Sequence, residues 1–280
     1  MKTLFFSDLD GTFLNKDGKI SPRSAEIINT LTKSGVLFTV ATARTYATVM
    51  EMFKDIYLPC PLVLMNGVTI YDPVERKILK SNSIPTDLGN RIVNVFRKHG
   101  IEPMLYFQQG ECLDIYYGEL TNDYQRAYVK QRVDCKGKRF IYSPSPTKLE
   151  DKNLVYIVCL DYYDKIKGIY NEVSEFSDAH CMFYKDNYDP EMYYLEIITK
   201  TVSKASGALE IKKLVGADKI IAFGDNLNDI PLFEIADECY AVAEAQEELK
   251  NIATSVIGSH NEDAVAEFLL KYVNNKKSLT

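Results

Sequence analysis

Short, uninterrupted apolar runs, each followed by a turn and a helix-like stretch, recur at both ends of this chain and leave few folds open to it. Thr3–Ser7 is the first such run, and Gly11 and Gly18 mark the turn-rich segment behind it. Ser21 and Pro22 then open a helix, with serine as the cap, proline at the first helical position, and Ile27, Ile28 and Leu31 as the apolar stripe. Gly35 closes that helix; Val36–Ala41 is a second buried strand, Thr45–Phe53 a second helix and Leu62–Met65 a third strand. The C-terminal part keeps the same rhythm. It reads as helix Ser203–Val215, strand Lys219–Phe223, a helical turn or two over Ile230–Ile235, and strand Cys239–Val242. Helix Gln246–Ile252, strand Thr254–Ile257 and helix Glu262–Val273 complete it. Strands that are apolar throughout are buried on both faces, so helices between them predict a parallel sheet covered on each side.

Between these halves the pattern changes. Residues 84–199 hold 14 of the 19 tyrosines, with alternating segments at Leu105–Gln108, Leu113–Tyr117 and Val155–Leu160. Helical stretches over Asp87–Lys98 and Tyr162–Phe176 are interleaved with them. Alternation predicts an antiparallel sheet with helices on one face. The chain is therefore read as α/β: a Rossmann-like, doubly wound parallel-sheet core from residues 1–83 and 200–280, with an α+β domain inserted at 84–199.

Charge narrows the function. The 33 Lys and Arg against 39 Asp and Glu leave a net −6, no footprint for nucleic acid or an anionic membrane. The basic run Lys136-Gly137-Lys138-Arg139 is short and reads as a solvated loop. No stretch approaches the roughly 18 apolar residues of a membrane span. Leu4-Phe5-Phe6 meets a charge at Asp8, too soon for a secretory signal, so a cytoplasmic location is expected. Cys60, Cys112, Cys135, Cys159, Cys181 and Cys239 lie scattered, without the spacing of a zinc site or a disulfide framework. They read as small buried or half-buried residues. His99, His180 and His260 are equally isolated.

Chemistry gathers at strand ends. In Ser7-Asp8-Leu9-Asp10-Gly11-Thr12 two carboxylates stand two residues apart, which at strand spacing puts both on one side with Leu9 turned away. Like charges that close repel unless a cation or proton intervenes, and an all-oxygen site suits Mg²⁺. The same Asp-Gly pair could merely start a turn, which is the weaker reading. Strand Lys219–Phe223 is followed by Gly224-Asp225-Asn226-Leu227-Asn228-Asp229, a second acidic strand end. Its residues also suit a helix cap and a helix dipole; beside the first cluster, a shared cation becomes the stronger reading. Lys204 falls in the first turn of a helix capped by Ser203, where the dipole disfavours a cation and an anionic partner would offset the mismatch. A solvated surface lysine is the alternative. Thr42, in Val40-Ala41-Thr42-Ala43-Arg44, could hold a phosphate oxygen together with backbone N–H groups, although threonine is common in strands. Asn66-Gly67 after the third strand reads as a hairpin turn or as a ligand contact.

In this order and context, Asp8–Thr12, Ala41–Arg44, Lys204 and Gly224–Asp229 resemble the haloacid dehalogenase superfamily, specifically its Cof-type branch of metabolite phosphatases. The resemblance covers both chain ends, and the middle resembles that branch's large cap in size and texture. It implies that Asp8 attacks phosphorus to form an aspartyl-phosphate, while Asp10 protonates the leaving alcohol and then activates water. Thr42 and Lys204 would hold the phosphoryl group with backbone N–H groups of Leu9 and Ala43, and Asn228 would contact its phosphate side. Mg²⁺ would bind the Asp8 carboxylate, the Asp10 backbone carbonyl and the Asp225 side chain, with Asp229 behind these ligands or joined to the metal through a water. Arg44 and Asn66 become candidates for substrate or cap contacts. The substrate implied is a sugar phosphate or another small phosphate monoester.

Three departures touch loops rather than catalytic groups. Relatives commonly have glycine at the positions of Ala43 and Ala264, and Tyr240–Ala245 lacks the glycine usual after its strand. A phosphomutase or phosphotransferase would share Asp8 and Asp10 but return the phosphoryl group to a second hydroxyl. A dehalogenase does without the acid-base carboxylate that Asp10 supplies. A non-catalytic phospho-ligand-binding protein would be expected to lack one of Asp8, Asp10, Lys204 or Asp225, and all four are present.

Overall fold

The structure, a computed structural model, describes residues 1–135, 137–144, 153–186 and 189–277. They divide into two units, residues 1–80 with 202–280, and residues 81–201. In the first unit the chain runs through β1 (Thr3–Ser7), α1 (Pro22–Lys33), β2 (Leu37–Val40), α2 (Tyr46–Met52), β3 (Leu62–Leu64), β4 (Thr69–Asp72) and β5 (Lys77–Ser81). The Ser21 hydroxyl accepts the Ser24 N–H at 2.9 Å, which makes it the cap that the sequence predicts for α1.

The second unit begins with α3 (Thr86–Lys98), β6 (Met104–Gln109), β7 (Cys112–Tyr117), α4 (Asp123–Arg132) and β8 (Lys138–Tyr142). It continues through β9 (Leu154–Tyr162), α5 (Tyr163–Ser174), β10 (Ala179–Lys185) and β11 (Met192–Thr199). The chain then returns to the first unit with α6 (Lys204–Val215), β12 (Lys219–Gly224), α7 (Ile230–Ile235), β13 (Glu238–Ala241), α8 (Glu247–Ile252), β14 (Ser255–Val256) and α9 (Ala264–Lys277).

The first unit carries the parallel sheet, in the order β14-β13-β12-β1-β2. A bridge between Ala41 and Val63 extends it to β3. Leu4, Phe6, Phe38, Ile220, Ile221 and Phe223 are buried in its core, as strands sandwiched between helices require. Both ends of the chain meet at β1, where the strand order reverses: β2 lies on one side and β12 on the other. Open α/β sheets bind ligands outside the strand ends at such a point. A three-stranded sheet, β3-β4-β5, was not foreseen from sequence. Its exposed last strand alternates weakly and carries no apolar run to reveal it.

The second unit has a six-stranded sheet in the order β10-β11-β9-β6-β7-β8. The antiparallel expectation holds except at one edge, where β7 and β8 run parallel. The intervening helix α4 makes that crossover possible, since parallel neighbours cannot be joined by a tight turn. Period-two alternation sorts the faces. Leu105, Ile157, Cys159, Leu195 and Ile197 pack with α3 and α5, while Tyr106, Tyr156, Tyr194 and Glu196 point to the opposite face. Helices were expected on one face only, yet α4 packs on the tyrosine face, with Tyr128 and Tyr106 hydroxyls 2.9 Å apart. Lys138 and Arg139, read as loop, stand in β8, where Arg139 grips Asp114 through two bonds of 2.6 and 2.8 Å. Lys136 of the same run lies outside the described residues. Cys135 is exposed rather than buried, and all six cysteines are free. Among the described residues, no helix is long and apolar enough to cross a membrane.

Glu196 accepts the Tyr156 hydroxyl at 3.0 Å, but burial outweighs that bond and holds its carboxyl above the usual range. A carboxyl whose folded pKa exceeds its unfolded value stabilises the fold fully below the unfolded value. That contribution disappears as pH rises through the folded one. Glu196→Gln keeps an acceptor for Tyr156 without the buried charge. It should therefore raise the unfolding midpoint in urea at pH 7.5, with the gain shrinking toward zero near pH 4. A gain that is the same at both pH values would assign the effect to something other than the charge.

Candidate active site

Register brings the site together. Ser7 pairs with Phe223 on one side and with Val40 on the other, so Asp8, Gly224-Asp225 and Ala41-Thr42 leave three adjacent strands at one sheet edge. The Asp8 N–H donates to the Phe223 carbonyl at 3.0 Å, and the Ala41 N–H to the Ser7 carbonyl at 2.9 Å. Beyond Ser7 the backbone leaves strand geometry. Thr12, Phe13 and Leu14 all donate to the Leu9 carbonyl, which folds the acidic motif into a turn. Leu9 is buried, as its apolar character requires, and Asp8 is buried beside it. Asp10 is not: its side chain is half exposed and held by Arg44 through Nε at 2.7 Å and Nη2 at 2.6 Å. The same-side projection expected of the two aspartates therefore gives way to two environments, because the strand ends one residue before Asp8.

Lys204 is the centre of the arrangement. It is 1% exposed, and its Nζ lies 2.8 Å from Asp8 Oδ1 and 2.6 Å from Asp229 Oδ1. The surface-lysine reading is thereby overturned, and the anionic partners that a lysine in a first helical turn calls for are these two aspartates. Ser203 caps α6 by accepting the Ser206 N–H at 3.1 Å, while the Ser206 hydroxyl accepts the Ser203 N–H at 3.0 Å. Asp229 uses both oxygens, taking Lys204 on one and the N–H groups of Asp225 and Asn226, at 3.1 and 3.2 Å, on the other. The acidic loop after β12 is thus also a cap: Asn226 bonds the Leu227 N–H at 2.8 Å. Its capping and its place beside Lys204 coexist.

Asp225 is steered by Thr12, whose hydroxyl donates to Oδ1 at 2.8 Å. Gly11, at φ +77°, leaves the room: a Cβ there would lie 2.9 Å from the Asp225 Cγ. Among the described residues, Asp8, Asp225 and Asp229 bring ligand oxygens within 4.8 Å of one another. Burial raises the Asp8 carboxyl well above its ordinary range; Lys204 opposes this, while Asp229 and Asp225 add to it. Asp225 is pushed up to about 6, first by burial and then by Asp229. For Lys204, burial works against the charged form, but Asp229 and Asp8 more than compensate and its ammonium is held above the usual range. One ammonium for three crowded carboxyls leaves an excess of negative charge. An all-oxygen donor set of this kind fits a small, hard divalent cation. The Asp10 side chain, turned to Arg44, is outside the trio.

Thr42 is buried, and its hydroxyl accepts the Arg44 N–H at 3.2 Å. Ala43, between them, is exposed. Met65-Asn66-Gly67 links the antiparallel strands β3 and β4, so the hairpin reading is correct. The turn also touches the site: the buried Asn66 side chain accepts Asn228 Nδ2 at 3.4 Å, and the Asn66 N–H donates to the Thr42 carbonyl at 3.0 Å. Sequence reasoning missed Thr12 as the partner of Asp225 and Gly67 as a neighbour of Ser203. Only the spacing Asp-Gly-Thr in the first motif hints at the former.

A haloacid dehalogenase-like hydrolase family model matches residues 5–269. The chain belongs to that family. Among relatives of this hydrolase is a 5-amino-6-(5-phospho-D-ribitylamino)uracil phosphatase of Bacillus subtilis, 27% identical over 94% of this chain and 95% of its own. A pyridoxal phosphate phosphatase of Escherichia coli is 22% identical over 95% and 97%. A crystal structure of a haloacid dehalogenase-like hydrolase from Bacteroides thetaiotaomicron has the same fold, with a TM-score of 0.78 over 97% of this chain, all of that one, at 18% identity. As a member of the family the chain is an enzyme of the phosphatase type.

Asp229 accepts on both oxygens, and an amide has only one acceptor. Asp229→Asn should therefore leave either Lys204 or the loop N–H groups facing a donor, at a cost of about 1–3 kcal/mol. Urea unfolding of the two proteins measures it, and equal midpoints would mean those donors have other partners.

Proposed function

We propose that this hydrolase cleaves small phosphate monoesters, sugar phosphates or similar metabolites, with Mg²⁺ and through an aspartyl-phosphate on Asp8. The observation that carries the reading is the buried Asp8 carboxylate held by Lys204 at 2.8 Å within the Asp8, Asp225 and Asp229 group. Asp8 and Asp225, with the Asp10 backbone carbonyl, would hold the metal. Bound there, it supplies the positive charge that offsets the crowded carboxylates and the anionic ester.

An Asp8 oxygen attacks phosphorus and forms a new P–O bond as the ester P–O bond breaks. Asp10 passes its proton to the departing alkoxide, so that the product is an alcohol. Asp10 then takes a proton from water, which attacks the same phosphorus and releases inorganic phosphate and the Asp8 carboxylate. Two environments for the two aspartates suit this division: Asp8 is fixed and shielded, whereas Asp10 is reachable by solvent. Lys204, Thr42 and the backbone N–H groups of Leu9 and Ala43 hold the oxygens of the transferring group, whose stabilisation is mainly electrostatic. Arg44 holds both oxygens of Asp10 in its ionised form, and Asp10 gives up at least one of those bonds to carry the proton. Asn228 and Asn66 serve the phosphate side, and the tyrosine-rich unit 81–201 chooses the ester. A cytoplasmic setting agrees with the six free cysteines.

A screen of phosphate esters with and without Mg²⁺ should show metal-dependent release of free phosphate. Phosphate recovered on a second alcohol instead would turn the reading to phosphotransfer. Asp8→Asn should lower release by about a thousandfold or more without altering the far-ultraviolet circular dichroism; full turnover would exclude Asp8 as nucleophile. Lys204→Ala should cost about a hundredfold or more in kcat, and wild-type kinetics would remove the lysine from the mechanism.

A further inference from the structure

One turn touches three of the segments that form the site within the first unit. Met65 donates its N–H to the Arg44 carbonyl at 3.1 Å, and Asn66 donates its own to the Thr42 carbonyl at 3.0 Å. The Asn66 side chain meets Asn228, one residue from Asp229. Gly67 lies against the backbone of Ser203, the cap of the helix whose next residue is Lys204. A Cβ at Gly67 would stand 2.6 Å from the Ser203 carbonyl carbon, closer still to its oxygen, and 3.1 Å from its nitrogen. Backbone of a capped helix start cannot swing aside as a side-chain tip can. The first turn of α6, or the β3–β4 turn seated on it, would have to move.

We propose that Gly67 is a positioning residue: its bare backbone lets the β3–β4 turn seat on Ser203 and so sets where Lys204 meets Asp8 and Asp229. The catalytic consequence rests on the function proposed above; the geometric claim does not. Lys204 Nζ is fixed at 2.8 Å from one carboxylate and 2.6 Å from the other, so a shift of the helix start by a fraction of an ångström is felt at both contacts. Misplacement of about 1 Å is enough to lower a rate about a hundredfold.

Gly35 provides a matched control. It has φ +97° against +101° at Gly67, and a Cβ there would meet nothing within 4 Å. Alanine at either position suffers the same left-handed backbone strain, but only Gly67→Ala pushes on Ser203. With para-nitrophenyl phosphate and Mg²⁺, Gly67→Ala should lose about a hundredfold in kcat with a much smaller change in KM, while Gly35→Ala keeps wild-type kinetics. Crystal structures of both variants supply the second readout. In Gly67→Ala the Ser203 backbone should be displaced and Lys204 Nζ drawn off at least one of its two aspartates; in Gly35→Ala both contacts should stand. An unmoved Lys204 in Gly67→Ala overturns the proposal whatever the kinetics show. Equal loss of kcat in both variants also overturns it, since strain alone would then account for the effect. A wild-type protein inert toward all phosphate esters would refute the function and leave the crystallographic comparison to decide the role of Gly67.

Discussion

The buried ammonium of Lys204 between Asp8 and Asp229 is the constraint on which the rest of the first unit depends. A lysine taken out of water is costly unless its charge is paired and its donors bonded. The chain meets that condition with residues from opposite ends, one after β1 and one after β12, and those strands are neighbours in one sheet. The ion pair therefore ties the fold to the site: the sheet cannot slip without unpairing the lysine. It also places a fixed positive charge at the carboxylate proposed to attack, in a setting where water does not screen it.

The same pairing explains why the neighbouring loops are short of freedom. Asp229 is used up on both oxygens, so the loop that carries Asp225 is held by its own backbone N–H groups. Asp225 is in turn fixed by Thr12 from the first motif. Three carboxyls thus crowd around one ammonium, and burial and mutual repulsion push Asp8 and Asp225 toward the protonated form. A hard divalent cation would relieve that crowding directly, and the all-oxygen donor set fits one.

Much of this was legible in the sequence because it rests on local rules. Continuous apolar strands, the Ser21-Pro22 cap and the acidic strand ends are each short-range signals, and they specify the parallel core and the Asp8–Asp225 meeting. What escaped prediction depends on long-range packing. Lys204 could be read as a surface residue, since nothing near it in sequence shows that its charge is buried. Asn66-Gly67 offered a turn or a ligand contact; it forms the turn, and its Asn66 side chain accepts Asn228 Nδ2. In the second unit, α4 and the parallel β7–β8 edge were hidden because α4 is weakly amphipathic and β8 is half exposed. On the face that α4 covers, Tyr106 bonds Tyr128 and Tyr124 bonds Tyr194, while Tyr124 also donates to Asp186 and Tyr156 to Glu196.

The glycines make a sharper point about which departures from the family pattern matter. Where a Cβ would strike the catalytic loops, glycine is kept. Gly11 faces Asp225, Gly67 faces Ser203, and Gly224 faces Asp229, whose Cβ would be 2.8 Å from a methyl placed there. The loop departures read from the sequence fall where side chains are accommodated. Ala43 is exposed, and the Thr42 hydroxyl still receives the Arg44 N–H across it. The loop after β13 is pinned without a glycine, by the Val242 N–H on Gly224 and the Gln246 N–H on Asp225 at 2.8 Å. A Cβ placed at Gly258 would meet the Ala264 Cβ at ordinary contact distance. Steric need is thus plain at Gly11, Gly67 and Gly224, which border the acidic group, whereas a Cβ at Gly18, Gly35 or Gly216 would meet nothing within 4 Å.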